Sequence, residues 1–310
     1  MAVQIDILLA TCNSATYLSE VIDSILHQDY TDWRLLISDA GSTDGTVEIV
    51  QKYTHQHPQK IAVVNSEKLF SPCENFSNLL NASSSEYVMF CDHDDVWLPE
   101  KISKTLSVMK QAEHKEKPDI PILVFTDQQV VDNQCSRLSE SSLKFQNLNP
   151  ERVHLNHLLL QNVPSGCTMM LNRVLVDLCR PIPPQAVMHD HWVSLVAAAF
   201  GKIVFLDEKT MLYRQHGSNY FGAPKYGWRH FYTRYQQGSD SIRSQLKQYI
   251  DQAQAFYARY SDRLRPRHRQ MLAELSRWSE LSWWGRRKVL LKYRIFKTGF
   301  RRNLGMFLII

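Results

Sequence analysis

Residues 86–99 of this chain read Glu-Tyr-Val-Met-Phe-Cys-Asp-His-Asp-Asp-Val-Trp-Leu-Pro. The apolar run 87–91 predicts a buried strand, and three carboxylates follow it at Asp92, Asp94 and Asp95. Aspartate is a poor strand former, and like charges at the end of a buried element repel one another. A divalent cation that carries phosphate is the natural partner for this group, because such cations bind carboxylate oxygens.

The Asp-x-Asp spacing lets Asp92 and Asp94 point the same way from an extended backbone. A simpler alternative is that these acids are solvated loop residues that cap the next helix, which is the commoner role of a short acidic motif. The buried strand before them and the organisation of the rest of the chain favour the cation site.

Apolar runs and amphipathic segments alternate through the first part of the chain. Strands are predicted at 5–9, 33–37, 61–64, 87–91 and 122–126, and helices at 15–27, 44–55, 74–82 and 99–110. This alternation predicts an α/β fold with a parallel sheet and helices on both of its faces. Polar loops follow the first two strands and the acids follow the fourth, so all three are expected to meet at the carboxyl ends of the strands, where such sheets bind ligands.

The second half of the chain has a weaker pattern. The sequence predicts a helix at 152–161, a strand at 167–171, a helix at 191–200 and two short strands at 203–206 and 210–213. From residue 226 onward strand alternation disappears, and the sequence predicts a helical region.

Composition places the chain among ordinary folded proteins, with 310 residues, 44% apolar and 22% charged. The amino-terminal segment has no basic region typical of a signal peptide, and no apolar run approaches the roughly 18 residues of a membrane span. The six cysteines are scattered and form no Cys-x-x-Cys pair, as expected for reduced thiols. We therefore expect a cytoplasmic protein.

The basic residues are concentrated at one end of the chain. Residues 281–310 contain eight lysines and arginines and no acid, whereas the rest of the chain carries a net charge of −3. This asymmetry predicts a local anionic partner and argues against a nucleic-acid binder. Because aromatic residues interleave with the basic ones, the segment is expected to lie on an anionic membrane surface. One alternative to membrane association is that the segment packs on the body as a helix with a solvated basic face. RNA binding is a poorer alternative. A third alternative is a homodimer through the helical C-terminal region.

Taken together, these segments resemble the inverting family-2 glycosyltransferases of the GT-A fold. The resemblance covers residues 4–100 and resumes at Gly166, at 189–192 and at 212–219. The nearest subgroup is the bacterial rhamnosyltransferase-like enzymes of polysaccharide assembly, which also tend to end in an aromatic and basic tail. It implies a GT-A-type nucleotide-sugar-binding fold with a mostly parallel central sheet, followed by a helical C-terminal region.

The resemblance also implies a division of the chain. Residues 1–125 form the half that binds the nucleotide-sugar donor, and residues 126–225 form the acceptor-binding half of the same GT-A domain. Residues 226–310 form the helical C-terminal region with its membrane-associating tail.

Five residues are assigned to the nucleotide pocket by the resemblance. Thr11, Asn13 and Asn75 line the pocket, Asp39 hydrogen-bonds the imide N–H of a uracil or thymine base, and Ser42 shapes the loop. Many relatives have a second acid directly after the first, where this chain has alanine, so the nucleotide contacts are expected to be rearranged here.

The remaining assignments concern the metal and the sugar. Asp92 and Asp94 match the family's Asp-x-Asp motif, which holds Mg²⁺ or Mn²⁺ against the diphosphate. His216 matches a late histidine that either completes the metal site or contacts the diphosphate. Gly166 takes the place of a glycine beside the donor sugar. Asp190 matches the catalytic carboxylate, which takes the proton from the attacking hydroxyl.

Two alternatives stand beside these roles. Asp190 could instead be the N-cap of the following helix, since caps favour aspartate. His189 and His191, together with His154 and His157, could hold zinc, although zinc sites usually have tighter signatures.

The expected reaction is therefore the metal-dependent transfer of a sugar to a hydroxyl of a growing, polyprenyl-linked saccharide at the inner face of the cell membrane. The favoured donor is dTDP-rhamnose, and another UDP- or dTDP-hexose is the alternative. A sugar nucleotidyltransferase and a non-catalytic protein that binds nucleotide sugars are the alternatives from other classes.

Overall fold

A nine-stranded sheet forms the centre of this computed structural model, which describes residues 4–65, 68–69, 71–217 and 238–310. Its strands are β1 (Ile5–Thr11), β2 (Trp33–Asp39), β3 (Ile61–Asn65), β4 (Tyr87–Cys91), β5 (Val96–Trp97), β6 (Ile122–Val131), β7 (Arg137–Ser139), β8 (Met169–Asn172) and β9 (Lys202–Arg214). The strand order is β3-β2-β1-β4-β8-β6-β9-β5, and β7 pairs with β6.

Most strands of this sheet run in the same direction. The neighbours β3, β2, β1 and β4 are parallel, and β6 is parallel to β9. The strand β8 lies antiparallel between β4 and β6, so β6 again runs in the direction of β4. The predicted α/β class with a mostly parallel central sheet is confirmed.

Helices cover both faces of the sheet and form the carboxyl-terminal part of the chain. They are α1 (Leu18–Leu26), α2 (Thr46–Gln56), α3 (Pro72–Ala82), α4 (Lys101–Lys115), α5 (Ser142–Phe145), α6 (Leu155–Leu158), α7 (Arg173–Cys179), α8 (His189–Phe200), α9 (Gly238–Tyr260), α10 (Pro266–Ser276), α11 (Trp283–Tyr293) and α12 (Phe300–Ile309).

The pleat of β4 divides its side chains between two hydrophobic cores. Val88 and Phe90 face the core that contains Trp192, whereas Tyr87 and Met89 face the core on the other side of the sheet. Both faces are covered, which explains why this strand reads as a continuous apolar run. Each fully buried large apolar side chain stabilises the fold by roughly 1.5–3 kcal/mol.

Helix α3 begins at Pro72, two residues before the predicted start at residue 74. Ser71 is its N-cap and accepts a hydrogen bond from the backbone N–H of Glu74, and Pro72 occupies the first helical position. Proline fits there because its missing N–H has no intrahelical partner in the first turn. The helix packs on β1 and β2, which brings its inner face to the ends of those strands.

The second half of the chain differs from the sequence prediction in three places. The two short strands predicted at 203–206 and 210–213 are one strand, β9, because pairing with β6 continues across an irregular register near Asp127. The helix predicted at 152–161 shortens to α6 (Leu155–Leu158). The strand predicted from residue 167 begins at Met169, after a 3₁₀ turn over Gly166–Thr168.

The carboxyl-terminal region is helical, as predicted, in the described range 238–310; residues 226–237 lie outside the described residues. It packs on the body of the protein through buried side chains. Phe256 of α9 meets Trp192 of α8 edge-on, with ring centroids 5.4 Å apart, and both rings are fully buried. The segment 281–310 also enters the core, since Leu290 and Ile295 are fully buried.

Among the described helices, none combines the length and the apolar character needed to cross a membrane.

Candidate active site

A cavity of about 780 Å³ opens at the carboxyl ends of β1 and β4. Eight of the ten predicted site residues line it: Thr11, Asn13, Asn75, Asp92, Asp94, Gly166, Asp190 and His216. The strand order explains why these residues lie together, because β4 is the neighbour of β1 in the sheet and β8 is the next strand after β4. The acids after β4 and the acid on α8 therefore face one space.

The other two predicted residues, Asp39 and Ser42, lie behind Thr11 and Asn13, which line the cavity. The Asp39 carboxylate accepts hydrogen bonds from the Thr11 hydroxyl at 2.8 Å and from the Ser42 hydroxyl at 2.5 Å. It also accepts the backbone N–H groups of Gly41 at 3.0 Å and Ser42 at 2.8 Å. A carboxylate has about four acceptor positions, so the loop itself occupies them. A base that bonds to Asp39 must displace one of these donors.

Asn13 joins the loops that follow β1 and β2. Its backbone N–H donates to the Ser42 hydroxyl at 2.8 Å, and its side-chain oxygen accepts the Thr43 N–H at 2.9 Å. Asn13 has a φ of 49°, in the left-handed region that asparagine tolerates better than most residues. The asparagine therefore fixes the cavity wall through its backbone conformation as well as its side chain.

Asn75 enters the cavity from α3. Its amide nitrogen donates to the Thr11 carbonyl at 3.3 Å, and the side chain is only 2% exposed. Among the described residues, its amide oxygen has no hydrogen-bond partner. A buried acceptor without a hydrogen bond is unfavourable, so the position suits a ligand that donates a hydrogen bond to this oxygen.

The acids after β4 destabilise one another's charge. Burial raises the pKa of Asp92 to about 7, and the negative charges of Asp94 and Asp190 add to the rise. Burial, with the charges of Asp94 and Asp92, also raises the pKa of Asp95 well above its usual value. The Asp95 Oδ2 atom has no hydrogen-bond partner in the part of the chain that is described. A bound cation relieves this repulsion.

Two sets of side chains carry suitable ligand atoms for such a cation, but within the described residues only the second set brings three of those atoms within 4.8 Å of one another. Asp94 Oδ2 lies 2.9 Å from His216 Nε2, with Asp92 in the same cavity. In the second set, ligand atoms of Asp92, Asp95 and Cys167 lie within 4.8 Å of one another. Burial raises the pKa of the Cys167 thiol well above its usual value, and a protonated thiol is a poor ligand for Mg²⁺ or Mn²⁺. The first set therefore fits these cations better.

Arg214 holds the acidic loop in place, and the sequence analysis assigned it no role. Its guanidinium donates to the Asp94 carbonyl at 2.9 Å, and its backbone N–H donates to Asp95 Oδ1 at 3.1 Å. The side chain is almost fully buried at the end of β9. Its position two residues before His216 is the one sequence signal that pointed to a place near the site.

Asp190 lies in the first turn of α8, whose N-cap is Met188, so the role of Asp190 is not that of the cap. Its Oδ2 atom accepts the backbone N–H of Gly166 at 3.1 Å. Burial raises the pKa of Asp190 to about 6, although hydrogen bonds from the backbone N–H groups of His191 and Gly166 oppose the rise. The carboxylate is thus ionised at neutral pH and more basic than an ordinary aspartate.

Glycine is the only residue type that fits at position 166 without a shift of the neighbouring side chains. A Cβ atom there would lie 2.7 Å from His189 Nε2 and 3.3 Å from Asp190 Cβ. Separations below 3.0 Å require one group to shift. The glycine thereby allows its backbone N–H to approach the Asp190 carboxylate closely.

The histidines considered for zinc serve other purposes. His189 stacks on Phe76 with ring centroids 3.8 Å apart, and His191 Nε2 lies 2.5 Å from the Leu158 carbonyl. Within the described ranges, His154 and His157 do not join them in a set of three ligands. The zinc alternative is not supported.

The helical C-terminal region supplies part of the cavity wall. Gln245 and Tyr249 of α9 and Arg302 of α12 line it, as do Gln161 and Asn162 of the loop before Gly166. The Arg302 guanidinium donates to the carbonyls of Gln146 and Asn147, which fixes α12 against this rim. Sequence reasoning missed these residues because their meeting depends on helix packing between distant segments.

Comparison with known proteins supports the resemblance. A sequence model described as "Glycosyl transferase family 2" matches residues 6–178, which is more than half of the chain. An uncharacterized glycosyltransferase of Nostoc sp. is 26% identical over 227 residues, which are 70% of this chain and 66% of that protein. The dTDP-rhamnosyl transferase RfbG of Shigella flexneri is 26% identical over 69% of this chain and 74% of its own length.

A third relative is WfgD of Escherichia coli, described as a UDP-Glc:alpha-D-GlcNAc-diphosphoundecaprenol beta-1,3-glucosyltransferase. It is 25% identical over 56% of this chain and 62% of its own length. The chain thus aligns with roughly two thirds of the length of these curated relatives.

Solved structures share the fold. TarS 1–349 of S. aureus, in complex with UDP-GlcNAc, has a TM-score of 0.56 and 17% identity, over 94% of this chain and 91% of that one. The mannosyltransferase PcManGT of Pyrobaculum calidifontis, in complex with GDP-Man and Mn²⁺, has a TM-score of 0.55 and 16% identity, over 94% and 74% of the two chains. At these identities the likeness shows the fold alone, and the predicted GT-A-type fold is confirmed.

Proposed function

The chain belongs to glycosyl transferase family 2, and from this membership we propose that it is a metal-dependent inverting glycosyltransferase that extends a cell-surface polysaccharide. Family membership itself decides against the nucleotidyltransferase and the non-catalytic alternatives. One observation supports the proposed mechanism most directly: Asp94 and Asp190 line the same cavity. In the proposed mechanism Asp94 serves the diphosphate of the donor and Asp190 serves the acceptor hydroxyl.

Asp190 is the proposed catalytic base. The acceptor hydroxyl attacks the anomeric carbon of the donor from the face opposite the diphosphate, and its proton passes to the Asp190 carboxylate as the new bond forms. The carbon–oxygen bond to the diphosphate breaks, and its electron pair leaves with the nucleotide. A positioned base contributes about 10²–10⁴-fold to such a reaction. The Gly166 N–H, at 3.1 Å, orients the carboxylate for this task.

Asp92, Asp94 and His216 are the proposed metal ligands. The carboxylate oxygens and the imidazole nitrogen fit Mg²⁺ or Mn²⁺. Burial, together with the negative charges of Asp94 and Asp190, raises the pKa of Asp92 to about 7, and this supports a cation there. When bound, the ion neutralises charge that develops on the leaving diphosphate. The Mn²⁺ in the PcManGT complex supports this proposal by analogy.

The donor is proposed to be a dTDP- or UDP-sugar, with dTDP-rhamnose favoured. The nucleotide would bind along Thr11, Asn13 and Asn75, with Asp39 and Ser42 behind them. RfbG supports dTDP-rhamnose by its name, and WfgD supports a UDP-hexose as the alternative. A panel of nucleotide sugars tested for thermal stabilisation with and without Mn²⁺ separates these donors, because specific binding raises stability by mass action.

The acceptor is proposed to be a saccharide on a polyprenyl diphosphate carrier, as the name of WfgD describes for that enzyme. A carrier of this kind requires the protein to work at the membrane surface. The proposed surface lies on residues 281–310, where Trp284 is 74%, Leu291 58% and Leu308 74% exposed. Lys288 and Lys292 line a surface groove together with Trp284 and Leu291.

The tail thus has two faces, since Leu290 and Ile295 are fully buried in the body. Four residues of the groove are exposed instead: Trp284, Lys288, Leu291 and Lys292. We propose that the exposed face rests on the anionic inner surface of the cell membrane, where each basic residue near the surface contributes about 1 kcal/mol. A second copy of the chain is the alternative occupant of this face.

The proposed function is tested by transfer itself. The purified protein, supplied with Mn²⁺ and the nucleotide sugar selected by thermal stabilisation, should release nucleotide slowly alone and faster with a lipid-linked saccharide. An enzyme that retains its full rate after metal removal by EDTA would contradict the metal dependence.

A further inference from the structure

Gln252 is a fully buried polar side chain on α9, far outside residues 6–178 that match the family. Its Oε1 atom accepts the backbone N–H of Val187 at 2.8 Å. Its amide nitrogen lies 3.3 Å from Nδ1 of His191. One side chain of the C-terminal region thus contacts the chain on both sides of Asp190.

The direction of these hydrogen bonds is fixed by chemistry. His191 Nε2 lies 2.5 Å from the Leu158 carbonyl, which can only accept, so the imidazole proton is on Nε2. Burial lowers the pKa of His191 to about 4, so the ring is neutral and Nδ1 is an acceptor. The amide of Gln252 therefore donates to Nδ1. Every donor in this chain of contacts meets an acceptor.

These contacts immobilise the start of α8. Val187 precedes the first turn of the helix and His191 ends it, and Asp190 lies between them. On the opposite side, Gly166 donates to the Asp190 carboxylate. Gly166 therefore holds the carboxylate from the side of the turn before β8, while Gln252 holds the backbone beneath it from the C-terminal region.

We propose that Gln252 is a positioning residue for the catalytic carboxylate of Asp190, so that the helical C-terminal region takes part in catalysis. This inference rests on the proposed function of Asp190. Glutamine suits the position because one side chain must supply both an acceptor for Val187 and a donor for His191. A displacement of about 1 Å at a reacting group can lower the rate by about 10²-fold.

The test compares four variants of the whole 310-residue chain by steady-state kinetics, using Mn²⁺ and the nucleotide sugar that gives thermal stabilisation. Gln252→Met has a similar length and removes both hydrogen bonds. We expect kcat to fall about 10- to 100-fold while the KM for the donor changes less than about two-fold, because the donor wall is not altered. Gln252→Glu keeps the acceptor for Val187 and loses the donor for His191, so its kcat should lie between those of the wild type and Gln252→Met.

Gln254→Met is the matched control. Gln254 lies two residues along the same helix, and its amide donates to the Ser276 carbonyl at 2.8 Å, away from α8. The same chemical change there should leave kcat within about two-fold of the wild type, as expected for a residue that does not affect the reacting groups. An equal loss of kcat in Gln254→Met would overturn the inference, because the effect would then come from the helix as a whole.

The outcomes separate this inference from the proposed function. If Gln252→Met retains wild-type kcat while Asp190→Asn is inactive, Gln252 does not position the base and the proposed function stands. If Asp190→Asn itself retains turnover, the proposed function fails. Should Gln252→Met not fold, as judged by circular dichroism, Gln252→Glu decides: a lower kcat at unchanged donor KM supports the inference, and unchanged kcat overturns it.

Discussion

Gly166 donates its backbone N–H to the carboxylate of Asp190 at 3.1 Å, across 24 positions of the sequence. The contact joins the turn before β8 to the first turn of α8. It explains why a glycine and an aspartate matter together, and it leads to the first prediction.

Replacement of Gly166 by alanine should lower kcat by about 10-fold or more, because a displaced reacting group loses rate steeply. The added Cβ atom would lie 2.7 Å from His189 Nε2, so either the ring or the turn must move. Overpacking of this kind also lowers the free energy of unfolding by about 1–3 kcal/mol. Steady-state kinetics and chemical denaturation measure both effects.

The control for this variant is Gly305→Ala, since a Cβ atom at Gly305 meets nothing within 4 Å. It should keep wild-type turnover. Full activity in Gly166→Ala would show that the close approach to Asp190 is dispensable.

Metal binding should depend on Asp94 and His216 together. Their side chains lie 2.9 Å apart, so one cation can reach both. Asp94→Asn and His216→Ala are each expected to weaken Mn²⁺ binding by about 10- to 100-fold, the range seen when metal sites lose a supporting group. Calorimetric titration with Mn²⁺ in the presence of nucleotide measures the change. Asp207→Asn removes an exposed carboxylate and should bind Mn²⁺ like the wild type.

If Cys167→Ser weakens Mn²⁺ binding as strongly as Asp94→Asn, the second set of ligands, Asp92, Asp95 and Cys167, holds the metal instead.

Activity should rise with pH and reach half its maximum near pH 6. Burial raises the pKa of Asp190 to about 6, and a base is active only when ionised, so protonation removes activity as the pH falls through that value. The pKa of Asp92 is raised to about 7 by burial and by its neighbours, and a bound cation should lower it. Saturating Mn²⁺ is therefore expected to move the acidic limb of the profile toward lower pH. A profile that is flat between pH 5 and 8 would contradict the role of Asp190.

Binding to anionic vesicles should require the exposed face of residues 281–310. Replacement of Trp284 and Leu291 by glutamine removes two apolar side chains that are 74% and 58% exposed, so binding to phosphatidylglycerol vesicles should fall while folding persists. Leu138→Gln, at a site 53% exposed on β7, is the matched control. Flotation assays measure the bound fraction. Unchanged flotation of the double variant would exclude this face as the membrane contact.

Removal of the whole tail is a poorer test of the same point. Truncation after about residue 280 removes the buried Leu290 and Ile295 and also Arg302 of the cavity wall. Loss of membrane binding would then coincide with loss of folding.

The first half of the fold was predictable because each signal is local. The apolar run of β4 matches its observed bounds, and the order of polar loops after parallel strands predicted where Thr11 and Asp92 would meet. Periodicity and strand direction suffice for such inferences, since the carboxyl ends of parallel strands share one edge.

The rest of the site depends on contacts that no local pattern encodes. Gln252 approaches Val187 across 65 positions, and Arg214 approaches Asp94 across 120. Buried polar residues of this kind look like ordinary helix or strand residues until packing brings their partners close. The tail is a similar case, because its aromatic residues divide between the core and the surface, and composition does not distinguish the two.

The roles of Asp94 and Asp190 on opposite sides of one sugar are tested most directly by Asp190→Asn. Donor binding, measured by calorimetry with Mn²⁺, should remain within about two-fold of the wild type, while nucleotide release in the transfer assay should fall by about 10²-fold or more, as expected for loss of a general base. Asp94→Asn should instead lose Mn²⁺-dependent donor affinity. Turnover by Asp190→Asn at a rate close to that of the wild type would contradict the account.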